Sequence, residues 1–262
     1  MPLTEQDIET IERIVDHLKT AKRIFFVTGA GISADSGLPT YRGIGGLYNS
    51  GRTEEGLAIE DVLSGDTLRL NPALTWKYLR QIEESCRGAS FNRAHEVIAD
   101  MQREFDRVVV LTQNIDGFHQ AAGSRVVIDI HGGLHNLECM TCDYETSVPD
   151  YRILIDFPPV CPSCGGVVRP AVVLFGEPLP LDRIDMIMDE WREDFDIVFS
   201  VGTTSVFPYI TQPVAYAKTN DIPTVEINPG DTPVTPLVDF KIPAGAAETL
   251  DVLWTRYLES RI

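Results

Sequence analysis

Four of the five cysteines fall in two C-x2-C pairs, Cys139 with Cys142 and Cys161 with Cys164, and eighteen residues separate the pairs. Each pair can turn both thiolates toward one centre, and two pairs complete a tetrahedron, which is the pattern of a zinc site. Gly165-Gly166, directly after the second pair, allows the tight turn such a knuckle needs. Disulfides are the competing use, and they belong to exported chains. The first residues, Met1-Pro2-Leu3-Thr4-Glu5, show no basic stretch leading into an apolar one, so the expectation is a cytoplasmic protein with reduced thiols. Four thiolates leave no open position for water, so the expected zinc is structural. Cys86 ends an amphipathic stretch and reads as a small buried hydrophobe.

A second set of residues suits a nucleotide. Gly29-Ala30-Gly31-Ile32-Ser33-Ala34 fits G-x-G-x-x-G/A just after an apolar, β-rich run, where glycines let the backbone approach a pyrophosphate. Tight strand-to-helix turns also use glycine for purely structural reasons. A hydride-transferring enzyme would add an acid about 20 residues on, at the end of the second strand. Glu54 and Glu55 stand near that distance but in an irregular stretch, so the dehydrogenase reading fails its own test. Ser36-Gly37-Leu38-Pro39-Thr40-Tyr41-Arg42-Gly43 extends the loop with a rigid turn, a ring and a guanidinium able to pair with phosphate or with a surface acid.

Two more polar clusters follow strand-like runs. Gln113, Asn114 and Asp116 in Thr112-Gln113-Asn114-Ile115-Asp116-Gly117 offer donors and acceptors for hydroxyls and a carboxamide, although Asn114 or Asp116 could equally cap a helix. In Ile130-His131-Gly132-Gly133 the imidazole could be a general base near neutral pH or a hydrogen-bonded structural group. His17, His95, His119 and His135 pair with no evident nucleophile, which leaves a Ser-His-Asp or Cys-His hydrolase without support.

The elements that must hold these residues are legible from apolar periodicity. Short β-rich runs at 23–28, 107–111, 125–130, 196–201 and 223–227 alternate with helical patterns at 5–20, 71–84, 91–101, 181–191, 208–219 and 246–258. That alternation predicts an α/β fold with a mostly parallel sheet covered on both faces. Residues 136–170 have no helical period and read as a small insert, and 43–66 reads as a long mobile loop. The chain of 262 residues carries 22 basic and 39 acidic side chains, a net charge of −17. Such a chain is a poor grip for nucleic acid; its acidity suits a basic partner such as a lysine-rich peptide, but acidic surface more often simply keeps a protein soluble, so charge alone decides nothing. Its apolar runs are too short for a membrane helix.

Taken in order, these motifs resemble the sirtuins, NAD-dependent protein-lysine deacylases. The resemblance runs through Gly29 to Ser33 with Ser36-Gly37-Leu38-Pro39, Thr112 to Asp116, His131-Gly132, the four cysteines, Phe175-Gly176-Glu177, Gly202-Thr203-Thr204-Ser205 and Ile227-Asn228, over roughly residues 5–258. It implies a Rossmann-like NAD-binding domain (1–42, 67–135 and 171–262), a mobile cofactor loop (43–66) and a small zinc-binding module (136–170). It further implies that Gly29, Ala30, Gly31 and Ser33 approach the pyrophosphate, and that Asp35, Tyr41 and Arg42 belong to the cofactor loop. Gln113, Asn114, Ile115 and Asp116 would hold the nicotinamide ribose and carboxamide, while Gly202, Thr203, Ser205, Asn228 and Ala246 would line the adenosine end. Val173, Phe175, Gly176 and Glu177, with Val206 and Phe207, would flank an acyl-lysine peptide as added strands. His131, with Asn114, would be catalytic, and NAD would be a consumed co-substrate yielding free lysine, nicotinamide and 2′-O-acyl-ADP-ribose.

The chain departs from the family pattern at Tyr41, where phenylalanine is usual, at Leu174, where many members carry tryptophan, and at Gly133, where serine is frequent. Members preferring succinyl or malonyl groups carry a Tyr-x-x-Arg pair at the positions of Leu79 and Ile82. An acidic acyl group would find no cation there, so acetyl or a longer apolar acyl group is expected. Two other functions compete: protein ADP-ribosylation by the same NAD cleavage, and a silent nucleotide-binding or zinc-bearing interaction module.

Overall fold

The computed structural model describes residues 2–38 and 52–261. Helix α1 (Glu5–Leu18) starts at a capping box, in which the Thr4 side chain accepts from the Asp7 amide and Asp7 accepts from the Thr4 amide. Strand β1 (Arg23–Thr28) follows and runs into a 3-10 helix, Ala30–Ser36. Next come α2 (Ile59–Val62), α3 (Gly65–Leu70), α4 (Pro72–Cys86), α5 (Arg93–Glu104) and β2 (Arg107–Thr112). After α6 (Phe118–Ala121) the chain forms β3 (Val127–Asp129), β4 (Gly132–Cys139), β5 (Glu145–Ser147) and β6 (Val168–Val172). It ends with α7 (Leu181–Glu190), β7 (Ile197–Val201), α8 (Pro208–Thr219), β8 (Thr224–Ile227), β9 (Phe240–Ile242) and α9 (Ala246–Glu259).

Six strands make one sheet in the order β3-β2-β1-β7-β8-β9, every pair parallel. Counted within the sheet this is 3-2-1-4-5-6, the doubly wound order whose switch point lies between β1 and β7. Alternation along the strands divides the core. Phe26, Val108, Val110, Phe199 and Val225 face α1, α5 and α9, and Phe25, Val27, Val109, Leu111 and Val198 face α8. The expected Rossmann-like α/β layer is therefore present, with β9 as a further edge strand that its three-residue length hid from the sequence. Among the described residues no helix is long and apolar enough to cross a membrane.

An antiparallel sheet, β5-β4-β6, carries the cysteines. Its core also draws in helices that the sequence reading assigned elsewhere. Ile59, Val62 and Leu68 from α2 and α3, with Trp76, Leu79 and Ile82 from α4, pack with Leu134, Leu137, Tyr151 and Val168 of the small sheet. Helix α4 thus packs its apolar side on the cysteine-bearing sheet. The Trp76 indole confirms the attachment by donating to the Val168 carbonyl at 3.0 Å. Residues 52–66, expected as part of an irregular loop, hold α2 and the start of α3; both are too short to leave a helical period.

Under the end of β1 lie two buried histidines. His95 of α5 accepts at Nδ1 from the Asn92 amide, and His119 of α6 meets Thr28 Oγ1 through Nε2 at 3.0 Å. Their rings stand edge to face, 4.9 Å apart. Burial pulls the His95 pKa down to about 4 and the His119 pKa well below its ordinary value. Both are neutral when folded and free to take up a proton when unfolded, so stability is full above the unfolded value of about 6.5 and falls as pH drops below it. Urea unfolding at pH 7.5 and pH 5 is expected to differ by about 2 kcal/mol for His95 alone, with His119 acting in the same direction, and His95→Gln should remove the His95 share. Equal stability at the two pH values would contradict the burial argument.

Candidate active site

The parallel register sets Thr28, Thr112, Asp129, Val201 and Ile227 in one row across the sheet. The hydrogen-bond ladder continues one residue further. Gly29 N donates to Val201 O, Gln113 N to Thr28 O, Ile130 N to Thr112 O, Gly202 N to Ile227 O and Asn228 N to Ile242 O. The residues expected to bind a nucleotide therefore start from a common edge, beyond the carboxyl ends of the strands. At the switch point the β1 and β7 loops touch, with Gly31 N donating to Gly202 O at 2.7 Å. A Cβ on Gly31 would stand 2.6 Å from the Gly202 Cα, so this approach requires glycine.

Side chains tie the row together. Gln113 Nε2 donates to Thr203 Oγ1 at 2.7 Å, and Asn228 Nδ2 donates to the Thr203 carbonyl at 2.9 Å. Asn114 Nδ2 donates to the Gly29 carbonyl and to Ser33 Oγ, and Ser33 Oγ donates to Asp116 Oδ2 at 2.8 Å. Burial raises the Asp116 pKa. Ser205 is buried in a left-handed conformation, φ 50°, and its Oγ has no hydrogen-bond partner among the described residues. A strained residue with an unpaired hydroxyl in this loop fits a site completed by a polar ligand. A dinucleotide therefore fits these residues: the glycine turn at the switch point, Ser205 beyond it, and amide and carboxylate groups on the other side.

His131 stands between β3 and β4. Its Nδ1 lies 3.0 Å from the Gln113 carbonyl, which can only accept, so Nδ1 carries the proton of the neutral ring. Nε2 is then the basic atom, and it accepts from the Tyr209 hydroxyl at 2.7 Å. Burial lowers the His131 pKa, outweighing the opposite pull of the Gln113 carbonyl. The ring is thus neutral near pH 7, with Nε2 turned toward the first turn of α8.

Other expected residues have different surroundings. Asp35 accepts from the Ala247 amide at 3.0 Å, holding the first turn of α9 beside Ala246. Ile115 packs against the core of the small unit, and its carbonyl accepts from the Leu134 amide. Val173 N donates to the His131 carbonyl, while Phe175 exchanges backbone bonds with Leu63 and Gly65. A strand added along this loop must therefore pair through residues other than Phe175. Glu177 turns inward to a two-bonded pair with Arg169 and accepts from the Leu174 amide, so its side chain braces the loop. Phe175 and Val206 expose apolar surface, and Gly176 has φ 80°. Tyr41 and Arg42 lie outside the described residues. Sequence reasoning missed Tyr209, Arg169 and Asn92, whose amide donates to the Ile32 carbonyl and Ser36 Oγ and fixes the 3-10 helix. Only proximity to recognised motifs marked the first two.

The sulfurs of Cys139, Cys142, Cys161 and Cys164 lie within 4.8 Å of one another, with Cys139 and Cys164 3.5 Å apart and Cys142 and Cys161 3.7 Å apart. Zinc–sulfur bonds of about 2.3 Å in a tetrahedron set sulfurs about 3.8 Å apart, so the four thiolates fit that ion.

The Sir2 family model matches residues 29–208. A Pseudomonas aeruginosa protein named NAD-dependent protein deacylase 2 is 49% identical over 242 residues, covering 92% of this chain and 94% of that protein. A Sir2 homologue solved as an NAD complex superposes with a TM-score of 0.84 at 32% identity, covering 95% of this chain and 94% of the other. A mutant Sir2 homologue in complex with 2′-O-acetyl ADP-ribose gives 0.83 at 32% identity, over 95% and 97% of the two chains.

One zinc per chain is the expected metal content. Cys161→Ser is expected to lose it and to melt at least about 5 °C lower, since structural zinc binding contributes folding energy directly. A wild-type protein equally stable after metal removal would contradict the structural role.

Proposed function

The chain belongs to the Sir2 family, and from that premise we propose that it is an NAD-dependent protein-lysine deacylase with His131 as its general base. The observation that carries the reading is the state of His131: the acceptor-only Gln113 carbonyl fixes the proton on Nδ1, and the Nε2 lone pair, which accepts from the Tyr209 hydroxyl, is turned toward the first turn of α8. NAD, consumed as co-substrate, supplies a ribose whose nicotinamide is replaced by the acyl oxygen of the substrate lysine. His131 Nε2 takes the proton of a ribose hydroxyl, whose oxygen attacks the acyl carbon; the lysine amine leaves with that proton, and one water then adds to the acyl carbon as its bond to the first acyl oxygen breaks, leaving that oxygen as a hydroxyl on the anomeric carbon. Deacylated lysine, nicotinamide and 2′-O-acyl-ADP-ribose are the products. The NAD and acetyl ADP-ribose complexes of the structural relatives support this route.

Gly29, Ala30, Gly31 and Ser33 take the pyrophosphate in this reading. Gln113, Asn114, Ile115 and Asp116 take the nicotinamide end, and Gly202, Thr203, Ser205, Asn228 and Ala246 the adenosine end. The exposed Phe175 and Val206, with Phe207, offer apolar contact to an acyl-lysine peptide. Zinc holds the small unit and takes no part in the reaction. A cytoplasmic setting suits four thiolates kept for a metal.

Leu79 and Ile82, at the positions where an acid-recognising member carries tyrosine and arginine, are buried in the apolar core of the small unit. This supports acetyl or apolar acyl groups, because an unpaired carboxylate loses its hydration there without compensation. On one lysine peptide offered in acetyl, butyryl, succinyl and long-chain forms, acetyl or butyryl turnover is expected to dominate. His131→Ala should lose about 10²–10⁴-fold. Transfer of labelled ADP-ribose to protein with no acyl-lysine turnover would overturn the reading in favour of a transferase. Dominant succinyl turnover would overturn the acyl assignment alone.

A further inference from the structure

Tyr209 lies outside every motif that carries the family resemblance, yet its hydroxyl is the partner of the basic nitrogen of His131, 2.7 Å away. The helix that bears it starts at Pro208, and Tyr209 sits in its first turn. Its ring stacks on Phe207, with centroids 5.6 Å apart and planes within 14°, and meets the His131 ring edge to face at 5.9 Å. Packing on one side and the imidazole on the other fix where the hydroxyl points.

The direction of this bond follows from the other nitrogen. Nδ1 donates to the Gln113 carbonyl, so in the neutral ring Nε2 has only a lone pair, and Tyr209 must be the donor. Burial pushes the Tyr209 pKa up to about 12, so the hydroxyl keeps its proton at any working pH. We infer that Tyr209 is a positioning residue that stands in for the ribose hydroxyl: it occupies the lone pair of the base, holds the ring neutral and oriented in the free enzyme, and yields that place when the co-substrate arrives. The inference rests on the reading of His131 as the base. A donor bound to the neutral ring favours that form, because on protonation the bond must reverse, with Nε2–H donating to the hydroxyl oxygen, and the hydroxyl proton loses its acceptor.

Among the described residues, the other groups near the ring do not compete for this role. The segment after β2 brings Asp116, which accepts from Ser33 and the Phe118 amide. β3 brings Asp129, paired with Arg183 of α7 at 2.8 Å. The strand-like loop after β6 presents Val173, Leu174, Phe175 and Gly176, none of them titratable, and Glu177 beyond them is held by Arg169.

The test is Tyr209→Phe, which keeps the ring and its stacking and removes the donor. The His131 imidazole is titrated by NMR in the unliganded protein, and kcat/KM for NAD is followed against pH with an acetyl-lysine peptide. The His131 titration and the acid limb of the profile are both expected to move up by about half to one pH unit, the shift that one neutral hydrogen bond supports. At a pH below both pKa values the variant would then be about three- to tenfold slower relative to its own plateau. A purely structural loss would lower the plateau and leave both titrations in place. An unchanged or downward His131 titration overturns the inference. If the titration moves as expected while the wild type deacylates nothing, the pairing stands and the reading of the reaction fails.

Discussion

The constraint on which the site depends is the common end of five parallel strands. Because β1, β2, β3, β7 and β8 finish in one row, the first residue after each is bonded to the neighbouring strand before the chain turns away. Gly29, Gln113, Ile130, Gly202 and Asn228 therefore inherit their positions from the sheet. Loops usually buy their reach with mobility; here the first residue of each loop is as fixed as the strand. The side-chain bonds from Gln113 and Asn228 to Thr203, and from Asn114 to Gly29 and Ser33, then extend that order into the cleft.

The second unit is joined to the same edge through His131. The residue after it, Gly132, begins β4, and its pairing with Val172 together with the Val173-to-His131 bond welds the small sheet to His131. A Cβ on Gly132 would stand 1.9 Å from the Ala171 carbonyl oxygen, and φ there is 76°, so this junction admits only glycine. Zinc is distant in chemistry but not in mechanics. The thiolates fix the far end of β4 and the approach to β6, and those strands position the imidazole and the 173–177 loop. Arg169, on β6, then holds Glu177 and with it the loop whose exposed Phe175 faces solvent.

Much of this was legible in the sequence, for identifiable reasons. Apolar runs with 2- and 3.6-residue periods located the large sheet and its helices, since burial on both faces leaves a dense signal. The cysteine spacing located the zinc ligands because tetrahedral geometry limits how two knuckles are written. Motif order marked the loops that leave the carboxyl edge of the sheet together. What the sequence concealed depends on contacts distant in the chain. Helix α4 has an ordinary amphipathic pattern, which says that one side is buried but not against what; only packing shows that Trp76, Leu79 and Ile82 meet the small sheet. Glu177 stands in a substrate motif yet turns to Arg169, and Asp35 stands in a cofactor motif yet caps α9, because an acidic side chain does not declare its partner. Tyr209 touches the base across 78 residues, and no local pattern records such a contact.

The central claim is that acyl-lysine, NAD and the Nε2 lone pair of His131 meet in one reaction. It is tested most directly by measuring nicotinamide release and lysine deacylation together, with the sugar product identified by mass. The account requires one nicotinamide released for each lysine uncovered, a product of the mass of 2′-O-acyl-ADP-ribose, and almost no nicotinamide release when the peptide carries an unmodified lysine. Nicotinamide release at the same rate without an acyl group, or deacylation without NAD consumption, would contradict it.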